Sequence, residues 1–376
     1  MNYKTAVPVE ALGTRAAISI GRRPSDGKFA QKAGISIRSR APLRLGLAGG
    51  GTDLSPYCDE HGGVSLNATI GRYAYAHLSF RDDNKLCFSA HDVNQEDVVP
   101  LAAELSLDGG LPLHRAVYNR MARDFLHGRI HAISVTSTVD APMGSGLGAS
   151  SALVVALIEA YRTAFDLPLG RYDVARLAFE VERIDLKLAG GRQDQYAAAF
   201  GGLNFMEFLP GGHVIVNPLR ISPSYVYEFE ASLVVCFSGQ SRASAVIQEQ
   251  VKAITQSDKG ALEGMHQLKS DAMQMKQALL RGDIQEVSEI LNRSWEAKQR
   301  TSGLVSSSAI ERVFELARKN GAVSGKISGA GGGGFLMLMT DPEQRYRLIT
   351  ALNENGVYAS SVQFTEGGAE AWATSR

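Results

Sequence analysis

From residue 35 onward, apolar positions recur with two different periods between glycine-rich breaks. Residues 64–80 and 130–139 are rich in β-branched and aromatic side chains and predict strands. Residues 113–126 carry helical spacing, and 153–161 are apolar on every side, which predicts a helix buried all round. Strands are predicted again at 203–208, 214–216 and 233–237. Three or four helices follow between about 241 and 319 with no strand among them. The remainder reads strand (322–327), glycine-rich turn, strand (335–339), helix (342–353) and strand (357–364). This order predicts two α+β layers rather than a doubly wound parallel sheet.

One helix, at 174–188, breaks its own pattern. Val174, Leu177, Ala178, Val181 and Leu188 share a face, with Arg176, Glu180, Arg183 and Lys187 opposite. Asp185 falls inside the apolar stripe, and Glu182 lies at its edge between Ala178 and Leu186. An inward carboxylate must be ion-paired, hydrogen-bonded or bound to a metal. Just downstream, Gly190-Gly191-Arg192-Gln193-Asp194-Gln195 reads as a loop that places Asp194 beside one basic and two amide side chains.

Composition narrows the function. The chain has 376 residues, 44% hydrophobic, enough for two domains or one with a large annex. Lys+Arg and Asp+Glu are equal at 39, so no global field exists to hold nucleic acid or an anionic membrane. No apolar run approaches the ~18 residues of a transmembrane helix. Cys58, Cys87 and Cys236 are far apart without a Cys-x-x-Cys, and the histidines show no His-Glu-x-x-His. That argues against a disulfide framework or zinc site and fits a cytoplasmic protein handling a small molecule. Residues 1–34 hold six Lys/Arg against Glu10 and Asp26, with no apolar stretch long enough for a secretory signal. They are expected to form a disordered extension.

Glycine carries the strongest signal. Pro142-Met143-Gly144-Ser145-Gly146-Leu147-Gly148-Ala149-Ser150-Ser151 lies between a predicted strand and the buried helix. Alternating glycines allow close backbone approach, and the helix N-terminus adds dipole and free donors, a combination suited to phosphate. Ser150 and Ser151 could cap the helix or place a hydroxyl on a phosphate-bound metal. The spacing is neither a Walker loop nor a dinucleotide fingerprint. A second loop runs from Ala41-Pro42-Leu43-Arg44 to Gly49-Gly50-Gly51-Thr52-Asp53. Alone, such a turn is more often only a turn. A third, Ser328 to Gly334, has five glycines between two strands, which points to close approach to another backbone or a ligand.

These three loops, in this order, resemble the three motifs of the GHMP small-molecule kinases. Within that family the wording of residues 38–53, 193–202, 241–242, 294–296 and 326–334 is closest to the bacterial D-glycero-α-D-manno-heptose 7-phosphate kinases. The resemblance implies a two-domain α+β fold, a ribosomal S5 domain 2-like N-terminal domain (35–210) and a ferredoxin-like C-terminal domain (211–376). It implies transfer of the γ-phosphoryl of ATP, with Mg²⁺, onto the anomeric hydroxyl of a heptose 7-phosphate, in GDP-heptose biosynthesis for surface polysaccharide. Residues 142 and 144–151 would then hold the ATP phosphates, with Ser150 and Glu182 on Mg²⁺. Asp194 matches the aspartate that accepts the sugar hydroxyl proton, and Arg44 the basic residue that keeps it ionised. Asp53 matches a sugar-hydroxyl ligand, with Gly50, Gly51, Thr52, Gly329 and Gly331 around the substrate. Two departures stand out. The interval from metal acid to catalytic aspartate is one residue longer than in mevalonate kinase, which keeps Asp185 in play as a metal ligand. Ala149 replaces the serine of many relatives. Arg242, Arg192, Lys187, Arg72 and Lys298 are the candidates to clamp a sugar phosphate, with Arg242 the first choice because a strand there hands over to a helix start. The rival readings are an anomeric kinase of an unphosphorylated sugar resembling fucose or galactose, and a non-catalytic ligand-binding regulator.

Overall fold

The computed structural model describes residues 35–239 and 242–375, so the expected extension at 1–34 lies outside the described residues. Alternating burial builds the first sheet from β1 (Ile35–Ala48), β2 (Gly63–Phe80), β3 (Lys85–Ala90), β4 (Gln95–Pro100), β5 (Ile133–Val139), β6 (Leu203–Phe208), β7 (Val214–Pro218) and β12 (Glu370–Ser375). Its main path is β12-β1-β2-β5-β3-β4, antiparallel except for the β3–β5 pair. The long β2 serves two neighbours: its first half pairs with β6 and its second half with β5. Ile133, Val135 and Val139 of β5 point into the core, while Ser134 and Thr136 alternate outward.

A short helix α1 (Tyr57–His61) precedes β2. Helices α2 (Pro112–Asp124), α3 (Ala149–Ala164), α4 (Arg171–Glu180) and α5 (Gln193–Phe200) form the layer beneath the sheet. As its sequence predicts, α3 is buried almost all round, including every residue from Ser151 to Tyr161. The second sheet, order β11-β8-β10-β9, is antiparallel, with β8 (Leu233–Phe237), β9 (Ala322–Ile327), β10 (Phe335–Thr340) and the two-residue β11 (Ala359–Ser360). The β10 run Phe-Leu-Met-Leu-Met is apolar throughout because both faces are covered. Leu336 and Leu338 pack with Phe314 of α10 (Ser308–Lys319) and with Leu348 and Leu352 of α11 (Arg345–Glu354). Phe335, Met337 and Met339 face the main core. In the chain α6 (Pro223–Ser232) precedes β8, and α7 (Ala243–Thr255), α8 (Lys259–Arg281) and α9 (Ile284–Arg300) follow it; α8 lies against β1 and β2, and α9 against β9. No helix among the described residues is long and apolar enough to cross a membrane.

The α+β architecture is as the sequence predicts, and the differences are local. Residues 41–48, read as a loop, continue β1, because Leu43, Leu45 and Leu47 are buried in register with β2. The strand expected at 357–364 shrinks to β11, and the chain instead makes a strand at β12, which returns to pair with β1. The first sheet thus takes in β7 and β12, both beyond residue 210. The helix expected to run to 188 ends its regular turns at Glu180, and Asp194 lies in a helix rather than a loop.

Candidate active site

The chain leaves β5 and turns through Pro142 to Gly148 before α3 begins. Gly144, Gly146 and Gly148 adopt φ of 74°, 82° and 74°, left-handed values that a Cβ would oppose. No side chain caps α3. Its first N–H groups and the positive end of its dipole therefore form an anion site. Of the two roles open to the serines, capping is not taken. Ser150 Oγ donates to Glu182 Oε1 at 2.8 Å and Ser151 Oγ to Oε2 at 2.6 Å. Gln195 Nε2 adds a bond to Oε2 at 2.5 Å, and Glu182 is 1% exposed.

Glu182 turns inward because α4 passes into a π turn over Val181–Asp185, with Leu186 N–H on Val181 O at 3.1 Å. The wider turn also moves Asp185 off the apolar stripe. Its two oxygens accept Arg120 Nη2 and Nε of α2 at 2.7 and 2.9 Å, beside Glu180 on the same guanidinium. Asp185 is thus an ion-pair partner of α2. Mg²⁺ takes oxygen ligands at ~2.0–2.1 Å in octahedral geometry, so neighbouring ligands sit about 2.9 Å apart. Ser150 Oγ and Glu182 Oε1, 2.8 Å apart, fit two such positions. Among the described residues no cluster of three His, Cys, Asp or Glu side chains could hold a metal. Phosphate and water oxygens would complete the shell.

Across the same helix end stand Arg44 and Asp194. Arg44, buried on β1, donates Nε and Nη2 to Asp194 Oδ1 at 2.9 and 2.5 Å and Nη1 to Gly146 O at 2.6 Å. One carboxylate oxygen, Oδ1, takes both guanidinium contacts. Asp194 sits in the first turn of α5, where the helix dipole favours an anion. A Cβ on Gly148 would lie 3.5 Å from the Asp194 side chain, so the phosphate loop ends directly beside the acid.

The third loop supports the Pro142–Gly148 loop. A Cβ on Gly146 would come within 2.3 Å of Ser328 O, and one on Gly334 within 2.3 Å of Ser145 O. Ser328 Oγ donates to Gly146 O at 3.0 Å, and Phe335 N–H to Ser145 O at 2.8 Å. Close approach to another backbone explains these glycines. Gly329 packs on Gly146, whereas Gly331 packs on Val305. Asp53, expected to bind a sugar hydroxyl, is occupied by the protein. Oδ1 accepts Gly51 N–H and Gln193 Nε2, and Oδ2 accepts Arg192 N–H and Gln193 N–H, all at 2.9–3.1 Å. It thereby fixes the start of α5 and, with it, Asp194. Thr52 is spent on Gly49 O and Val64 O.

The five candidate phosphate cations separate. Lys187 is exposed with φ of 53°. Arg72 lies over the Phe335 ring at 5.2 Å and donates to Ser360 Oγ. Arg192 is buried against Phe179, with Nη1 on Cys58 Sγ at 3.2 Å and near Asp59. Arg242 is exposed at the start of α7, behind the third loop near Ser306 and Gly332. Lys298 alone reaches the second loop, with Nζ on Gly50 O at 2.7 Å. Burial pushes it down to about 8, Asp53 opposing and Arg44 adding to the shift. Beside it Lys326, buried on β9, donates to Gly46 O and Leu47 O, and burial with neighbouring Lys298 lowers it to about 7. Neither has a carboxylate within ion-pair distance among the described residues. Sequence reasoning missed Lys326, although a lysine within a short strand was a signal. It also missed Ser328, Gln193 and Gln195, whose neutral side chains offer no charge to flag. A cleft of about 380 Å³, lined by Asp53, Phe179, Arg183, Gly191 and Ile247, opens beside the second loop.

Two family segments match: the GHMP kinases N terminal domain over residues 112–202 and the GHMP kinases C terminal over 275–357. A D-glycero-alpha-D-manno-heptose 7-phosphate kinase of Campylobacter jejuni is 45% identical over 337 residues, 90% of this chain and 99% of its own. A crystal structure titled a D-glycero-D-manno-heptose 1-phosphate kinase from Bacteroides thetaiotaomicron superposes with TM-score 0.77 at 40% identity, covering 89% of this chain and 98% of that one. A putative sugar kinase structure from Campylobacter jejuni gives 0.76 at 44% identity, covering 90% and 98%. With relatives of this identity spanning nine-tenths of its length around the Arg44–Asp194 and Ser150–Glu182 pairs, the chain belongs to the GHMP kinases.

Proposed function

We propose that this GHMP kinase transfers the γ-phosphoryl group of ATP to the anomeric hydroxyl of D-glycero-D-manno-heptose 7-phosphate. The product would be the 1,7-bisphosphate, a precursor of GDP-heptose for surface polysaccharide. The observation that carries the reaction is the meeting of an oriented carboxylate, Asp194, with an uncapped, glycine-bounded helix end. The substrate rests on the 45% identity to an enzyme named for it, and Lys298 supplies a buried cation on the second loop.

The chemistry follows from position. N–H groups at the start of α3 hold phosphate oxygens, and Arg44 holds Asp194 so that Oδ2 accepts the hydroxyl proton. The sugar oxygen forms a bond to the γ-phosphorus as the bond to the β,γ-bridging oxygen breaks, and ADP leaves with that oxygen. When bound on Ser150 and Glu182, Mg²⁺ would neutralise phosphate charge. Ser328 and the third loop keep Gly146 O on the Arg44 guanidinium, which fixes the distance between the loop and the acid.

The test is a panel of heptose 7-phosphate, heptose 1-phosphate, free heptose and fucose with ATP, read by product mass. The 7-phosphate should be preferred by about tenfold to a hundredfold in kcat/KM, the scale of one charge-assisted contact. Equal turnover of a free sugar would replace the assignment with an unphosphorylated-sugar kinase, and preference for the 1-phosphate would relocate the transfer to another hydroxyl.

A further inference from the structure

One buried polar group in the site has no part in the reaction above. Gln193, 7% exposed, opens α5 immediately before Asp194. Its Nε2 donates to Asp53 Oδ1 at 3.1 Å. With the amide reversed, its oxygen would face that carboxylate, so one orientation is favoured. Oε1 is thereby turned from Asp53, and this buried acceptor has no hydrogen-bond partner. Leaving such an acceptor unpaired is costly, and a built site supplies the partner with its ligand.

The amide oxygen faces backbone without side chains. A Cβ on Gly46 would lie 4.0 Å from Gln193 Oε1, 3.8 Å from Arg44 Nη1 and 3.7 Å from Gly329 N. One on Gly50 would lie 3.5 Å from Gln193 Nε2 and 3.8 Å from Oε1. Neither glycine has a left-handed φ, so backbone conformation does not require them. Glycine inside a strand, as at Gly46, marks close approach of another group. Here it leaves no side chain between an acceptor, Gln193 Oε1, and a donor, Gly329 N–H, beside the guanidinium that orients Asp194.

We propose that this position is a recess that reads a sugar hydroxyl, and that Gln193 is a specificity-determining residue for the hydroxyl next to the one phosphorylated. A hydroxyl both donates and accepts, so it satisfies Oε1 and takes the Gly329 N–H in one placement. The inference rests on the sugar-kinase reading but not on which sugar phosphate is the substrate. A site built around a substrate hydroxyl rejects the analogue that lacks it, because its own polar groups are then left unpaired.

The experiment compares wild type and Gln193→Met on heptose 7-phosphate and on its 2-deoxy analogue. Wild type should lose about tenfold to a hundredfold in kcat/KM on the 2-deoxy sugar. Gln193→Met should lose a similar factor on the parent sugar and nothing further on the analogue, with KM for ATP unchanged. An equal loss by the variant on both sugars, or wild type blind to the missing hydroxyl, overturns the proposal. Melting temperature checks that the variant folds. Gln193→Asn, which keeps the amide but withdraws its oxygen by one methylene, must show the same selective loss if the Met variant does not fold. If heptose 7-phosphate is not turned over but another sugar is, the substrate reading fails, and the recess is judged on that sugar and its deoxy form. No turnover of any sugar overturns both.

Discussion

Asp194 gives one carboxylate oxygen, Oδ1, to Arg44, and its side chain lies against Gly148. Asp194→Asn keeps the shape and loses the proton acceptor, so turnover should fall by ~10²–10⁴ while ATP affinity is retained. Nucleotide titration with single-turnover rates checks this, and more than a third of wild-type turnover would remove Asp194 from the role. Glu182→Gln and Ser150→Ala should each raise the Mg²⁺ concentration for half-maximal rate. Asp185→Asn should leave that requirement alone and lower the melting temperature slightly, since Asp185 holds Arg120. A shifted metal requirement in Asp185→Asn would reverse the assignment.

The buried lysines make a prediction about pH. Lys326 is lowered to about 7 and Lys298 to about 8, against about 10.4 in the unfolded chain. Below its folded value each is charged in both states, and the full burial cost is carried. Between about 7 and about 10 the unfolded chain keeps protons that the folded protein has released, so this contribution to stability rises with pH. Lys326→Met lacks the burdened charge. Its stability advantage over wild type should be largest below pH 7 and shrink toward pH 9 in urea denaturation. An advantage that is constant across that range would mean the lysine does not titrate there.

At the scale of elements, the site depends on where regular structure is broken. The π turn at Val181–Asp185 sends Glu182 to the serines of α3 and Asp185 to α2, a division that a continuous helix would not make. Asp53 joins the second loop to the first turn of α5 through both backbone and side chain, and so places Asp194 from a distance. The third loop threads against the phosphate loop at separations that exclude any Cβ. Gly334→Ala would bring a methyl to within 2.3 Å of Ser145 O and should cut both melting temperature and turnover. Gly356→Ala is the control. Its φ of 77° is also left-handed, but nothing lies within 4 Å of the added carbon. Strain alone should cost it ~1 kcal/mol and no activity. Equal effects of the two substitutions would show that loop contact is unimportant.

The whole molecule is closed by its last strand. β12 pairs Glu370–Ser375 with Ile35–Arg40, and Glu370 meets Arg40 at 2.5 Å. Removing residues 370–376 should uncover the β1 edge, lower the melting temperature by several degrees and promote association. β1 also carries Arg44, so activity should fall with it. A truncated chain with wild-type melting behaviour would show that the strand is dispensable. The large scale also explains why β10 reads as unbroken apolar sequence: it is covered by α10 and α11 on one side and by the main core on the other.

The sequence by itself determined the α+β class, the glycine loops and the buried α3. Each depends on local periodicity or on a motif dense enough to carry its own meaning. What only the tertiary structure decided was partnership. Asp53 was legible as a site acid, but its four donors come from residues up to 140 positions away. Glu182 was the expected metal acid and Asp185 stayed in play beside it, until a π turn, whose one extra residue leaves no mark in hydrophobic spacing, separated them. Arg242 was preferred to Lys298 as the phosphate cation, because burial against Gly50 is set by packing of α9 on the second loop. The return of β12 to β1 was likewise invisible, since a pairing across more than 300 residues is fixed by which edge the folded sheet leaves open.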